Sequence, residues 1–173
     1  MFVTSAVIDE RVREIFENVK LPFLDFLLSI ITNFSVVLIL FLAIPSIIIY
    51  KKDKKIFYLL MLSFICAFLF SFALKLITER IRPTDTVYYP LINIINYSFP
   101  SMHAMVVFAL VPLIIYFMPR QKYFWISLAV LVSFTRIYFN FHYLSDVVFG
   151  VIVGYLIGEI FVKLHNKGIL WKN

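Results

Sequence analysis

Three polar clusters interrupt a chain that is otherwise strongly apolar, and their residue types belong together chemically. The first runs from Lys75 to Arg82-Pro83, the second is Pro100-Ser101-Met102-His103, and the third carries Arg136, His142 and Asp146. Lys75, Arg82 and Arg136 supply fixed positive charge, Ser101 a hydroxyl, and His103 and His142 two imidazoles, a set suited to an oxyanion. An imidazole is a competent nucleophile toward phosphorus near neutral pH when an acceptor holds its other nitrogen. Asp146 stands four residues after His142. If a helix begins by His142, that step puts both on one face, where the carboxylate fixes the tautomer and stabilises the imidazolium. His103 is the natural second proton handler, because a phosphate ester leaves as an alkoxide that needs a proton. The three cations suit the nonbridging oxygens of a phosphoryl group, and a helix opening at Ser101 to His103 would add N–H donors and a positive dipole end. Taken singly, each residue has a bland reading: a snorkelling anchor for Arg or Lys, a satisfied core group for His. Their convergence argues for phosphoryl chemistry.

The elements that must position them follow from composition. Of 173 residues, 62% are hydrophobic and 15% charged, and the mean hydropathy is +0.95. A soluble domain of this size buries its core with far less apolar sequence, so the chain reads as one membrane-embedded domain over residues 1–173. A membrane-crossing helix needs about 20 apolar residues. Five spans meet that requirement within the tolerance for tilt, at 24–50, 56–78, 102–118, 123–139 and 146–164. The third and fourth are short, and Pro112 inside the third implies a local bend that a bundle accommodates. The expected fold is therefore an all-α integral membrane bundle of about five transmembrane helices.

Residues 1–20 carry Asp9, Glu10, Arg11, Arg13, Glu14 and Glu17 and lack the long apolar core of a signal peptide. Val7, Ile8, Val12, Ile15, Phe16 and Val19 recur at helical spacing, which gives either an amphipathic helix lying in the interface or a cap packed on the bundle. Basic residues in the connections set orientation. Lys51, Lys52, Lys54 and Lys55 join the first two spans, Arg120 and Lys122 the third and fourth, and Lys167 and Lys172 follow the fifth. The positive-inside tendency puts these on the cytoplasmic side, so the N-terminal segment and the segments 79–100 and 140–145 face outward. Arg80, Arg82 and Arg136 oppose that tendency, and binding an anionic group is a reason to keep them there. All three clusters then meet at one membrane face.

Lys75-x6-Arg82-Pro83, Pro100-Ser101-Met102-His103 and Arg136-x5-His142-x3-Asp146 resemble the three-part signature of the type 2 phosphatidic acid phosphatase superfamily. Two positions depart from it: Met102 stands where the family typically has glycine, and Thr135 where it has serine. The resemblance implies His142 as the nucleophile of a covalent phosphohistidine, His103 as the acid, Asp146 as the orienting carboxylate, and Lys75, Arg82, Ser101 and Arg136 as phosphate ligands. It also implies catalysis without a metal or other cofactor. The partner is a phosphorylated membrane lipid, and the substrates implied are the 1-phosphate of lipid A, placed first, then undecaprenyl diphosphate and phosphatidylglycerol phosphate. A phosphotransferase, or a non-hydrolytic binder or transporter of anionic lipid, would share the basic residues. The His142-Asp146 pair favours an enzyme.

The remaining features read as structural. Gly150-x3-Gly154-x3-Gly158 allows close approach of a neighbouring helix, within the chain rather than between copies. Cys66 reads as a buried small hydrophobe, and His165 as an interfacial or cytoplasmic structural residue. The pI near 9.4 reflects topology and anion binding, not nucleic acid, and no spacing calls for a metal ion. Oligomeric state is not encoded in any motif.

Overall fold

The computed structural model describes residues 2–19, 21–84 and 96–168. The regular elements among the described residues are helices: α1 (Phe2–Asn18), α2 (Pro22–Thr32), α3 (Phe34–Leu38), a π-helical turn (Ile39–Ala43), α4 (Ile44–Tyr50), α5 (Lys54–Thr78), α6 (Met102–Phe117), a short 3-10 turn (Pro119–Gln121), α7 (Lys122–Tyr138) and α8 (Leu144–Asn166). Among the described residues there is no strand.

The bundle is built around α6. Every residue from Ala104 to Ile114 is buried, Pro112 included, and the helix runs unbroken through that proline. The neighbours of α6 reach it through stripes of small side chains spaced four residues apart. On α5 the stripe is Ser63, Ala67, Ser71 and Lys75, all buried. On α8 it is Asp146, Gly150, Gly154 and Gly158, also buried. A methyl group on Gly150 would sit 2.8 Å from the Ser101 carbonyl oxygen, and one on Gly158 would sit 2.5 Å from that of Ala109. The glycine repeat thus packs helices within the chain, as expected. Ser63 Oγ reinforces the contact by donating to the Ala109 carbonyl at 2.7 Å. Both stripes end in an ionisable residue, Lys75 and Asp146. Close packing and delivery of charge to one end of the bundle are therefore the same structural feature.

Two expectations need correction. The run 24–50 is not one straight helix: α2 and the segment Phe34–Tyr50 meet at a 55° bend. The cause is local. Asn33 is extended and its side chain accepts from the Ser35 N–H, so it caps a new helix rather than continuing the old one. Cys66 is exposed, not buried. The α5 face turned toward α6 is the one carrying Ser63, Ala67 and Ser71, which leaves Cys66 on the outer surface beside Leu69 and Phe70.

Among the described residues two helices, α5 and α8, are long and apolar enough to cross a bilayer, or three spans if the bent pair counts as one. The 16 residues of α6 rise only about 24 Å at ~1.5 Å each. Because α6 is enclosed by its neighbours, its length is not set by contact with lipid. Large apolar side chains cover the outside, among them Leu69, Ile77, Phe124, Ile152 and Ile160, as expected of a protein whose solvent is lipid. At the other end His165 packs edge-on against Tyr116, a structural contact.

The first helix caps the bundle end that holds the polar clusters. Phe16 packs edge-on against Phe134 and Tyr138 of α7, while Val7, Ile8 and Ile15 remain exposed.

Candidate active site

His142 lies in the turn between α7 and α8, one residue ahead of the Tyr143 N-cap. The helix therefore starts too late to put His142 and Asp146 on one helical face. The closest approach of His142 Nδ1 to Asp146 Oδ2 is 3.9 Å, beyond hydrogen-bonding range. Nδ1 instead lies 2.7 Å from the carbonyl oxygen of Ser98. A carbonyl can only accept, so this nitrogen carries the proton and Nε2 keeps its lone pair. Arg82 Nη1 lies 3.4 Å from Nε2, and Arg82 also donates to the carbonyls of Phe141 (2.8 Å) and Asn96 (2.9 Å). Burial first, then the charges of Arg82, Lys75 and Arg136, hold the His142 pKa well below the usual imidazole range. A neutral imidazole with Nε2 unprotonated is the nucleophilic form.

Asp146 is buried and acts one step back from the histidine. Its carboxylate accepts from Arg80 Nη1 at 2.6 Å, Ser98 Oγ at 2.5 Å and the Tyr143 N–H at 3.0 Å. Three donors on one desolvated carboxylate compensate its charge, which a buried ion without partners could not sustain. The consequence for His142 is indirect. Asp146 holds the Ser98 side chain, and the Ser98 carbonyl holds the imidazole.

Lys75 comes in from the end of the α5 stripe and donates to the Tyr97 carbonyl at 2.5 Å and to that of Ser98 at 3.4 Å. Arg136 is buried near the end of α7. Its Nη1 donates to Thr32 Oγ1 at 2.6 Å, its guanidinium lies 4.6 Å from the centre of the Phe141 ring, and its carbonyl accepts from the His142 N–H at 3.2 Å. Thr135, beside it, donates to the Val132 carbonyl at 2.6 Å and lies 2.9 Å from Thr32 Oγ1. The hydroxyl thus serves the joint between α7 and α2.

Ser101 and His103 open α6. Ser101 Oγ and His103 Nε2 are both buried and have no hydrogen-bond partner among the described residues. Ser46, Ser71 and Ser133 Oγ share that state elsewhere in the bundle, so it is their place beside the basic residues that suits Ser101 Oγ to donate to a bound oxyanion and His103 Nε2 to carry a proton. The Ser101 N–H, expected in the anion cradle, is already donated to the Asp146 carbonyl at 3.2 Å. The His103 ring meets Phe34 edge-on with centroids 4.9 Å apart. Met102, in the glycine position, is partly buried against the apolar core.

The fold thus brings Lys75, Arg82, Ser101, His103, Arg136, His142 and Asp146 to one end of the bundle. It adds residues that the motifs do not single out as site residues. Ser98 orients both His142 and Asp146, Thr32 seats Arg136, and Arg80 joins Asp146 to Asp9 of α1, whose Oδ2 lies 2.8 Å from Arg80 Nη2. For Arg80 the sequence holds a signal, a basic residue outside the Lys- and Arg-rich connections that set the expected orientation. Among the described residues no group of His, Cys, Asp or Glu could hold a metal ion.

A helical membrane bundle with histidines and basic residues gathered at one end defines a class of protein, and comparison with known proteins gives the family. The model of the PAP2 superfamily matches residues 55–169, and the chain belongs to that superfamily. It is 30% identical over 131 residues to an undecaprenyl-diphosphatase of Sulfolobus acidocaldarius, covering 72% of this chain and 63% of the relative. It is 33% identical over 90 residues to phosphatidylglycerophosphatase B of Bacillus subtilis, covering 46% of this chain and 43% of the relative. The chain thus spans less than two thirds of the length of either curated relative. Among solved structures, the PAP2-type phosphatidylglycerolphosphate phosphatase of Bacillus subtilis superposes with a TM-score of 0.79 at 25% identity, covering 96% of this chain and 92% of that one. LpxE of Aquifex aeolicus superposes with a TM-score of 0.69 at 20% identity, covering 88% and 93%, a likeness of fold.

Proposed function

We propose that this protein is a membrane lipid phosphatase that works through a phosphohistidine on His142. The observation that carries the reading is the 2.7 Å contact from His142 Nδ1 to the Ser98 carbonyl, which leaves Nε2 as the unprotonated, nucleophilic nitrogen beside Arg82. In the first step Nε2 forms an N–P bond while the bridging P–O bond breaks. The departing oxygen takes a proton by way of His103. In the second step water attacks phosphorus, losing a proton to His103, and releases inorganic phosphate with neutral His142. Lys75, Arg82 and Arg136 neutralise the nonbridging oxygens in both steps, with Ser101 Oγ as a further donor. The chemistry needs neither metal nor cofactor.

The finer assignment concerns the lipid. The relative named for undecaprenyl diphosphate matches over 131 residues at 30% identity and the one named for phosphatidylglycerophosphate over only 90 at 33%, whereas the likeness to LpxE rests on fold at 20%. A polyprenyl diphosphate is therefore placed ahead of phosphatidylglycerol phosphate, and lipid A 1-phosphate, first on sequence grounds alone, moves to third. A diphosphate also has the better leaving group, a phosphate monoester in place of an alkoxide. The domain is a single membrane-embedded unit with five crossings, in a bacterial-type inner membrane with the site facing outward. Phosphate release by purified protein from each of the three lipids, with detergent alone as control, tests the assignment. Release fastest from the diphosphate supports it. Transfer of phosphate to a second lipid would make the protein a phosphotransferase, and no release a binder.

A further inference from the structure

The family match begins at residue 55, yet Asp9 of α1 joins the residues that support the site. Asp9 is only 3% exposed, an unusual place for a carboxylate on an otherwise charged amphipathic helix. Its Oδ1 accepts from the Ser145 N–H at 2.9 Å, and its Oδ2 from Ser145 Oγ at 2.6 Å and Arg80 Nη2 at 2.8 Å. The other arm of the same guanidinium donates to Asp146 Oδ1 at 2.6 Å and to Ser145 Oγ at 2.8 Å. One arginine is therefore shared between a carboxylate of α1 and the carboxylate that holds Ser98, and Ser98 holds the nucleophile. The Arg80 guanidinium also lies 4.2 Å from the centre of the Tyr143 ring, which fixes its plane.

We infer that Asp9 is a positioning residue for the phosphoryl transfer: by anchoring Arg80 and the first turn of α8, it keeps Asp146 and Ser98 in the arrangement that points Nε2 of His142 at phosphorus. On this account α1 contributes Asp9 to the positioning of the site, while the packing of its Phe16 on α7 serves stability alone. Arg80 on its own has freedom to follow Asp146. Tied at its other end to α1, it holds that carboxylate in one place, and small displacements of a reacting group are costly in rate. Asp9 touches no reacting atom, so its removal should act on turnover more than on lipid affinity.

The inference rests on the phosphatase reading, and the experiment separates the two. Full-length Asp9→Asn, Ser98→Ala and the double variant are purified beside Phe16→Ala, which loosens the α1 packing on α7 without touching Asp9. Phosphate release from undecaprenyl diphosphate is measured per folded molecule. Asp9→Asn should lower kcat on the order of ten- to a hundred-fold with KM near that of the wild type. The double variant should be little worse than the poorer single, because both changes act through Asp146. Phe16→Ala should lower thermal stability while keeping kcat. Should Asp9→Asn not accumulate folded, Asp9→Glu takes its place in the same cycle. Unchanged kcat in the Asp9 variant, multiplicative losses in the double, or an equal loss in Phe16→Ala would overturn the inference while wild-type activity leaves the phosphatase reading standing. An inactive wild type would overturn both.

Discussion

His142 and Ser98, separated by 44 residues in sequence, meet through an Nδ1 to carbonyl contact of 2.7 Å. That contact decides the tautomer. With the proton held on Nδ1, the Nε2 lone pair is directed toward the Arg82 side of the site, where positive charge draws a phosphoryl group. Asp146 supports the arrangement from behind by binding the Ser98 hydroxyl.

His142→Ala removes the bond-forming atom while leaving the buried small-residue packing of the bundle untouched. The expected result is a loss of kcat of about 10⁴-fold or more with little change in thermal stability in detergent. Near-normal turnover would eliminate His142 as the nucleophile.

Arg136→Lys tests geometry at constant charge. The guanidinium reaches Thr32 Oγ1 and lies against the Phe141 ring, contacts that a lysine ammonium cannot reproduce together with a forked grip on phosphate. A fall in kcat/KM of at least about ten-fold, roughly 1.4 kcal/mol, is expected. A snorkelling anchor would tolerate the change, so wild-type kinetics would end the phosphate-contact role.

Much of the site is legible in the amino-acid sequence because motif residues carry chemistry that lipid-facing positions rarely carry. The glycine repeat on α8 is legible too, since its spacing has few other uses. The supporting residues are not. Asp9 lies 71 residues from Arg80 and 136 from Ser145, and no local pattern distinguishes it from its acidic neighbours Glu10 and Glu14. Ser98 acts partly through a backbone carbonyl, which any residue possesses. The break at Asn33 has a signal, two polar residues, Thr32 and Asn33, inside an apolar run. Hydropathy summed over 24–50 hides it, because a capped break costs a long apolar window very little average hydropathy.

The pH dependence follows from the depressed His142 pKa. Its neutral form persists below the ordinary imidazole value of about 6.5, so the acid limb of kcat/KM should lie below that pH. Arg82 is the largest of the charges pushing in this direction, after burial. Removing it in Arg82→Gln should lower the rate and also move the acid limb to higher pH. An unmoved limb would mean that another group controls it.

Packing gives a stability prediction. A methyl on Gly154 would collide with the Met105 backbone carbonyl of α6, which cannot turn aside without breaking its helix. Gly154→Ala should cost about 1–3 kcal/mol, read as a lowered Tm. An unaltered Tm would show that α6 and α8 are not in close contact.

Orientation can be read by thiol labelling in a Cys66→Ser background. A cysteine at Thr84 should react with an impermeant reagent added outside intact cells, and one at Asp53 should not. The reverse pattern would put the site in the cytoplasm.

The most direct test of the central claim is to find the phosphate on the protein during turnover. Wild-type enzyme is mixed with undecaprenyl diphosphate labelled at its terminal phosphate, quenched in base within one turnover, and digested for peptide mapping. The account predicts acid-labile, base-stable label on the peptide carrying His142 and none in His142→Ala. Label on any other residue, or full turnover with no labelled protein at any quench time, would contradict it.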